Sequence, residues 1–463
     1  MKTAVIDGCR TPFVKSGTHF ARLTAIDLGR HAVAELLARA QVPPDVVDHL
    51  VYGTVVHDPQ APNIAREVGL STLPKDVPAV TVSRACSSAN QAISDGVNLI
   101  EAGYADAVVA GGAECLSRIP ILVSDRLSRT LVTASRARTL GARLRTFART
   151  RPRDLIPVAP AIAEYSTGET MGQAAERMAK ENGIGREDQD RWALGSHMKA
   201  HAGTEDGRLT AEIAPFYVPP RYENTVTRDN GIRSDTSLEA LSGLRSVFDR
   251  RFGSVTAGNA SPLTDGASAV LLMSPDRAHG LGLESLGYVR SYAFTALDPG
   301  AQLLQGPAFA APLALDRAGI TMADIDLLEM HEAFAAQVLS NLQAWDSEKF
   351  AREELGRTGK VGHPDPEKIN VMGGSIAIGH PFGATGGRLT ITLLNELRRR
   401  DGQFGLVTVC AAGGLGFAMV LERGLGAGEA SPNASLNPGE RCPGAPRSLR
   451  PVHRRWSRRS PYR

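Results

Sequence analysis

The apolar and polar positions of this chain follow the same order twice, which predicts a duplicated architecture. Within segment 32–53, residues 33–53 align without gaps onto 311–331 at a constant offset of 278 positions. Each has the pattern of an amphipathic helix, a short turn and an apolar strand. Two similar α/β halves are therefore predicted.

Each half also has a strand, a reactive side chain and a helix in that order. The first half carries Cys86 at this corner, and the second carries His380 in a glycine-rich segment. The flanking elements are strand 77–82 and helix 87–100 in the first half, and strand 369–372 and helix 387–398 in the second. A roughly two-fold packing of the halves would bring Cys86 and His380 together.

The last two strands of each half locate an insertion. These strands are 107–114 and 268–274 in the first half, and 406–414 and 416–423 in the second. They are adjacent in the second half but about 150 residues apart in the first, so we predict an insertion. The predicted units are an N-terminal half (1–115 with 247–280), an inserted loop domain (116–246), a C-terminal half (281–423) and a basic tail (424–463). Alternating strands and helices favour mostly parallel, doubly covered sheets with one antiparallel strand pair.

Composition and charge change this picture little outside the tail. The chain has 463 residues, 42% hydrophobic and 22% charged, as in ordinary globular proteins. The tail carries eight Arg and two Glu and is rich in Pro and Gly, so it is predicted to be disordered. Its charge can bind nucleic acid or lipid, but a solvated appendage is the preferred interpretation. No apolar run suits a membrane span and no leader pattern is present, so an intracellular, cytoplasmic protein is expected.

Cys86 is the first candidate for chemistry. It lies among the first unpaired N–H groups of a predicted helix, where a thiol pKa is lowered and the thiolate is favoured. An inert core cysteine is the alternative. The five cysteines have no CxxC spacing, which argues against a disulfide framework.

Three further segments concentrate unusual residues: HEAFAAQ with His331, GGSIAIGHPFGATGG with His380, and CAAGGLG with Cys410. Individually, His331 could be structural and Cys410 could be core. A zinc site is disfavoured because the four side chains lack paired ligand spacing, and no metal is expected.

Together with SRACSS and AGNASPLTDGA, these motifs resemble the thiolase superfamily in order and spacing over about residues 1–423. The resemblance implies an α/β fold of two similar halves in a five-layered αβαβα arrangement with an inserted loop domain. The chain looks most similar to the β-subunit branch of fatty-acid β-oxidation complexes. His331 in HEAFA, the CAAGG sequence and an arginine-rich stretch carry this closer likeness.

The implied activity is thiolytic cleavage of 3-ketoacyl-CoA by CoA, with CoA as a substrate and no further cofactor. A biosynthetic acetoacetyl-CoA thiolase and a non-catalytic lipid carrier on the same scaffold are the alternatives. By resemblance, Cys86 is the acylated nucleophile, His380 its base and Cys410 the acid that protonates the leaving enolate. His331, through a water, and His380 would hold one reacting oxygen. Backbone N–H groups of Cys86 and Ala412 would hold the other.

The resemblance further implies CoA contacts at Met171 and Ser261, although each could be a plain core or turn residue. Gly383 could let the backbone approach CoA closely, but a tight turn alone would also explain it. A homodimer and a heteromeric complex with a hydratase/dehydrogenase α-subunit are expected, with no nucleic acid partner.

Segment 124–153 carries nine Arg and has an amphipathic helical pattern. Leu140, Leu144 and Phe147 fall on one face, and Arg138, Arg145 and Arg149 fall on another. The pattern suits peripheral contact with an anionic inner-membrane surface or a partner subunit. The alternative is a solvated face above an ordinary core stripe.

Overall fold

A ten-stranded mixed β-sheet organises the structure, a computed structural model that describes residues 3–148, 150–158 and 163–424. Arg149 and the predicted tail beyond Gly424 lie outside the described residues. The strands are β1 (Thr3–Arg10), β2 (Val14–Lys15), β3 (His49–Gly53), β4 (Ala79–Val82), β5 (Ala107–Glu114), β6 (Phe216–Tyr217), β7 (Thr225–Val226), β8 (Thr264–Met273), β9 (Gly287–Ala296), β10 (Leu327–Met330), β11 (Phe404–Ala411) and β12 (Leu415–Arg423).

Helices cover both faces of this sheet. They are α1 (Ala25–Ala40), α2 (Ile64–Thr72), α3 (Ser88–Glu101), α4 (Asp125–Arg136), α5 (Leu140–Phe147), α6 (Met171–Glu181), α7 (Arg186–Glu205), α8 (Arg208–Ala211), α9 (Leu238–Ser242), α10 (Pro275–Gly280), α11 (Gly306–Ala318), α12 (Ala335–Trp345), α13 (Glu348–Glu353), α14 (Ser375–Ile378) and α15 (Thr385–Arg400). Short 3₁₀ helices are Pro44–Val46, Leu116–Arg118, Pro152–Leu155, Met322–Asp324 and Pro366–Lys368. No helix in the described ranges is both long and apolar enough to span a membrane.

The strand order is β10-β11-β12-β9-β1-β8-β5-β3-β4, with β2 beside β8. β3 is parallel to β4 and β5, and β10 is parallel to β11. β8 and β12 each pair antiparallel with their neighbours. The two halves join where Thr3–Val5 of β1 pairs with Gly287–Val289 of β9. The expected pair of mostly parallel sheets is therefore one continuous sheet with more antiparallel pairing than predicted.

Three hydrophobic cores separate five layers of secondary structure. α1 and α2 pack on the outer face of the first half, and α11 packs on the outer face of the second. α3 and α15 contact each other and lie between the strands of the first half and the strands of the second half. Ile93 and Val97 of α3 belong to the same hydrophobic cluster there as Leu389 and Leu393 of α15. The predicted αβαβα arrangement is confirmed. It places the N-terminal ends of α3 and α15 in the same central layer.

The duplicated elements also match in the structure. α1 ends at Ala40 and α11 at Ala318, and the following 3₁₀ helices and strands β3 and β10 keep the same offset. The predicted strand 369–372 is wrong, because only Ile369 bridges to Leu328. Asn370 has φ 44° and its side chain bonds the backbone of Met330, which turns the chain away from the sheet.

The arginine-rich arm forms α4 and α5, which pack mainly on each other. The side chains of Leu140, Leu144 and Phe147 are 72%, 63% and 41% exposed. The core-stripe interpretation of this face is therefore wrong, because these side chains do not pack into the protein. Neighbouring apolar residues are exposed as well, namely Ile121, Leu122, Leu131, Val132, Leu155, Ile156 and Val158.

Candidate active site

Cys86 lies at a tight corner between β4 and α3. The preceding residue, Ala85, has φ 45°, a left-handed conformation that costs a residue with a side chain on the order of 1 kcal/mol. The Arg84 N–H donates to Ser88 Oγ (2.8 Å), and Ser88 Oγ–H donates to the Ala85 carbonyl (2.7 Å). Ser87 occupies the N-cap position of α3, so the thiol lies two residues before the helix begins.

Burial dominates the electrostatics of this thiol. It raises the pKa of Cys86 to about 12, although the N–H groups of Ala412 and of Cys86 itself hydrogen-bond the sulfur and act in the opposite direction. The expected lowering of the thiol pKa by the helix end is therefore wrong, because the desolvation cost of a thiolate exceeds the helix contribution. Cys86 is protonated at neutral pH and needs a base to react.

His380 follows Gly379 in the glycine-rich segment between α14 and α15. Its Nδ1 lies 2.7 Å from Thr385 Oγ1, and its Nε2 is buried without a partner among the described residues. Burial, and then the charge of Arg388, lower the pKa of His380 to about 3. The ring is therefore neutral at physiological pH and has one nitrogen free for chemistry.

His331 follows β10 and packs directly against His380. The ring centroids are 4.1 Å apart with an interplanar angle of 45°. Its Nδ1 lies 3.0 Å from Ser375 Oγ, and its buried Nε2 has no partner in the part of the chain that is described. Burial, then His380 and Arg388, lower the pKa of His331 well below its usual range. His331 is also neutral.

Cys410 lies near the end of β11 and is buried. Burial, and then the neighbouring Cys86, raise its pKa well above the usual range for a thiol, while the N–H groups of Cys410 and Ala333 have a lowering effect. The expected pKa near 8.5 is therefore wrong. This thiol holds its proton at neutral pH and is suited to act as an acid.

Three of the four side chains line one cavity of about 400 Å³, and the fourth lies next to it. Cys86, His380 and Cys410 line it, and His331 lies behind His380. The predicted CoA contacts Met171 and Ser261 and the predicted oxyanion donor Ala412 line it as well. Much of the remaining wall is apolar, with Val55, Val56, Leu116, Ile119, Leu263, Leu304, Phe334 and Phe382. A long apolar ligand could therefore reach both thiols.

Gly383 does not line this cavity. Its N–H donates to Glu114 Oε2 (3.0 Å), and a Cβ on Gly383 would lie 2.7 Å from the Ala113 carbonyl oxygen. The tight-turn interpretation therefore explains this glycine. Glu114 also accepts N–H groups of Val55 and Val56, and burial raises its pKa to about 7.

The argument against zinc rested on ligand spacing along the sequence, but the fold brings three of the candidate ligands together. The Cys86 sulfur and a ring nitrogen of His331 and of His380 lie within 4.8 Å of one another. These three groups could reach one ion, although each Nδ1 is already bonded to a hydroxyl. The absence of a metal remains a prediction.

Sequence reasoning missed the groups that hold the reactive side chains. Thr385 and Ser375 bond the two imidazoles, and Arg388 reaches Ser375 Oγ (3.3 Å). Thr385 lies five residues after His380 within the same motif, which is a usable signal. Arg388 has no such signal, because nothing local indicates that this arginine is fully buried against Glu329.

Comparison with known proteins places the chain in a class. The family model described as thiolase, N-terminal domain, matches residues 3–276, and that for thiolase, C-terminal domain, matches residues 283–423. The chain therefore belongs to the thiolase family, a family of acyltransferase enzymes.

Individual relatives give more detail. The chain is 53% identical to the 3-ketoacyl-CoA thiolase of Yersinia enterocolitica over 91% of its own length and 97% of the relative. It is 54% identical to the 3-ketoacyl-CoA thiolase of Cronobacter sakazakii over the same shares. Among solved structures, human mitochondrial 3-ketoacyl-CoA thiolase in complex with CoA is 32% identical with a TM-score of 0.77, covering 91% of this chain and 98% of that one. The Bacillus anthracis acetyl-CoA acetyltransferase is 31% identical with a TM-score of 0.78, covering 92% and 99%.

Proposed function

We propose that this chain is a 3-ketoacyl-CoA thiolase of fatty-acid β-oxidation that works through an acyl-Cys86 intermediate. The observation that carries this proposal is the meeting of two thiols and two imidazoles, from four separate segments, at one largely apolar cavity. The high identity to relatives named 3-ketoacyl-CoA thiolase supports the same substrate class.

In the first half-reaction, the Cys86 proton moves to His380 Nε2 as the sulfur attacks the 3-keto carbon of the substrate. The C2–C3 bond then breaks, and the acetyl-CoA enolate leaves with a proton from Cys410. In the second half-reaction, the thiol of a new CoA attacks the acyl-Cys86 carbonyl and releases an acyl-CoA two carbons shorter. His380 returns its proton to the departing Cys86 thiolate, and the proton of the incoming CoA thiol resets Cys410. Because acetyl-CoA leaves before the second CoA reacts, the kinetics are expected to be ping-pong.

Two donor sets suit the negative charge that develops on oxygen. The N–H groups of Cys86 and Ala412 converge on the Cys86 sulfur, next to the carbon that this sulfur would attack. His331, through a water, and His380 would stabilise the enolate or thioester oxygen. Met171 and Ser261 line the same cavity and are proposed to contact the pantetheine arm of CoA.

Brief incubation with acetyl-CoA followed by peptide mass spectrometry tests the covalent step. We expect one acetyl group on Cys86 and none on Cys9, a buried core cysteine. Acetylation of neither residue would contradict the mechanism and favour the non-catalytic lipid carrier.

Substrate length separates the proposal from a biosynthetic acetoacetyl-CoA thiolase. The fold alone does not discriminate, because the two structural neighbours with different activities have nearly equal TM-scores. We expect thiolysis of 3-ketoacyl-CoA across the series from C4 to C16, because the wall of the cavity is largely apolar. Activity confined to C4 would favour the biosynthetic alternative.

We propose a homodimer that forms through β4. This strand ends the sheet, and no strand of the described ranges pairs with its outer edge. The opposite edge, β10, is covered by Ile369 and Asn370. An unpaired edge is a ready template for the same strand of a second copy. Val80→Lys should reduce the dimer seen by light scattering, whereas Leu313→Lys, equally exposed at 43%, should not.

We propose that α4 and α5 bind an anionic membrane surface. Their exposed apolar residues and surrounding arginines combine apolar burial with attraction to acidic lipid. The full chain should sediment with vesicles containing phosphatidylglycerol and less with pure phosphatidylcholine. The triple variant of Arg138, Arg143 and Arg145 to Glu should lose this binding, and unchanged sedimentation would contradict the proposal. The α-subunit partner and the cytoplasmic location remain predictions.

A further inference from the structure

We propose that Thr385 and Ser375 hold the two site imidazoles in opposite tautomers. Thr385 leaves His380 with a bare Nε2 that can accept a proton, and Ser375 leaves His331 with an Nε2–H that can donate a hydrogen bond. Thr385 and Ser375 are thus positioning residues. This inference rests on the proposed function, in which His380 is the base and His331, through a water, is one of the oxyanion donors.

The Thr385 hydroxyl has two neighbours and one hydrogen. Its Oγ1 lies 3.0 Å from the Pro381 carbonyl oxygen, which can only accept and also receives the N–H groups of Ala384 and Thr385. Two oxygens at this distance repel unless a hydrogen lies between them, which favours the hydroxyl hydrogen pointing there. With the hydroxyl hydrogen there, the 2.7 Å contact with His380 Nδ1 places the imidazole hydrogen on Nδ1. A neutral imidazole carries one hydrogen, so Nε2 of His380 is left as an acceptor.

Arg388 orients the Ser375 hydroxyl so that it donates a hydrogen bond to its imidazole, whereas the Thr385 hydroxyl accepts one from its imidazole. The guanidinium of Arg388 can only donate, and its Nη2 lies 3.3 Å from Ser375 Oγ while Nη1 bonds Glu329. The hydroxyl of Ser375 then donates to His331 Nδ1 at 3.0 Å, since no other acceptor for it is found in the described ranges. His331 therefore carries its hydrogen on Nε2.

Both rings must be neutral for this logic to hold, and burial makes them so. The pKa of His380 lies at about 3 and that of His331 is also far below its usual range. Both Nε2 atoms are buried and have no partner within the described structure; His380 lines the cavity, and His331 lies behind it. The base and the donor differ only in which nitrogen holds the hydrogen, and a hydroxyl next to each ring decides this.

NMR of the full chain labelled with ¹⁵N-histidine tests the assignment directly. Signals of the two rings are assigned by their loss in His331→Gln and His380→Gln. We expect Nδ1 of His380 and Nε2 of His331 to be protonated in the unliganded protein. The same tautomer on both rings, or the reverse pair, would overturn the proposal.

Variants test the consequence by separating two reactions of Cys86. Alkylation by iodoacetamide needs only the base, whereas acetylation by acetyl-CoA also needs oxyanion donors. Thr385→Val should slow both by about 10- to 100-fold, and Thr385→Ser should restore them. Ser375→Ala should slow acetylation by about 10-fold and leave alkylation unchanged. Equal effects of Thr385→Val and Ser375→Ala on both reactions would contradict the assignment.

Thr390→Val is the matched control. Thr390 is buried on α15 and donates to the Gly386 carbonyl one turn back, as Thr385 does to Pro381, but it contacts neither imidazole. We expect wild-type rates for this variant.

The two experiments separate the proposed function from the tautomer assignment. If acetyl-Cys86 never forms although both tautomers are as expected, the proposed function is contradicted and the tautomer assignment stands. If acetyl-Cys86 forms but the tautomers differ, only the tautomer assignment is contradicted.

Discussion

The corners that carry Cys86 and His380 occupy related places in the two halves but hold different reactive groups, a thiol in the first and an imidazole in the second. At the first, the chain passes through the strained Ala85, and backbone N–H groups surround a buried thiol. At the second, Gly379 with φ 112° makes the turn, and a hydroxyl of α15 holds the imidazole. A strand-to-helix corner therefore presents the proposed nucleophile in the first half, and a helix-to-helix corner between α14 and α15 presents the proposed base in the second.

The comparison indicates that neither the Cys86 thiol nor the His380 imidazole is made reactive by its own surroundings. Burial keeps the thiol protonated and the imidazole neutral, which removes any standing ion pair. The proton therefore moves from Cys86 to His380 only when substrate is bound, because the oxyanion donors can then stabilise the negative charge on the substrate oxygen. The duplicated fold contributes by bringing the two corners together in one central layer.

Removing the nucleophile should have the largest effect. Cys86→Ala eliminates the acyl-enzyme, so we expect thiolysis to fall by at least about 10⁴-fold in a steady-state assay. Cys9→Ala is the control, because Cys9 is buried in a separate core and its thiol donates to the Ala32 carbonyl. Activity retained in Cys86→Ala would contradict its role.

The two imidazoles should respond unequally to the same substitution. His380→Asn removes the base, and we expect kcat/KM to fall by about 10³-fold. His331→Asn keeps an N–H donor at a similar place, and we expect a loss of about 10-fold or less. Equal losses would show that the two rings share one role.

Glu114 bonds the segment after β3 to the segment that carries His380, and it should make stability depend on pH. Folding raises its pKa from 4.5 to about 7, so the folded protein holds this proton more tightly than the unfolded chain. Its contribution to stability is fully present below pH 4.5 and is lost as pH rises through 7. The difference in unfolding free energy between wild type and Glu114→Gln should therefore change by about 3 kcal/mol over this window. A pH-independent difference in urea unfolding would contradict this.

Backbone substitutions at the corners should have the smallest effects. Gly379→Ala places a Cβ 2.5 Å from Thr264 Cγ2 at positive φ, and we expect a loss of about 2 kcal/mol in stability. Ala85→Gly relieves a positive φ, and we expect a change within about 1 kcal/mol. Thermal unfolding of both variants measures the difference. A larger loss for Ala85→Gly would mean that the Cys86 corner is not strained.

Most of the fold could be predicted because its signals are local. Strand β5 has the predicted bounds, and the shared offset of β3 and β10 follows from periodic apolar residues. The predicted strand 369–372 failed because the Asn370 side chain bonds the neighbouring strand, a contact that periodicity does not reveal. Periodicity likewise does not reveal that the neighbours of Gly383 are Ala113 and Glu114, and its contact with CoA remains a prediction.

The sequence by itself determined the two halves, the four reactive side chains and, through ordered motifs, the thiolase family. Only the tertiary structure decided the protonation states of Cys86, Cys410 and the two histidines, together with the exposure of the arginine-rich arm. The physical reason is that a pKa depends on burial and on partners distant in sequence, such as Arg388 beside both imidazoles. A sequence specifies which groups can react, and packing sets where their protons reside.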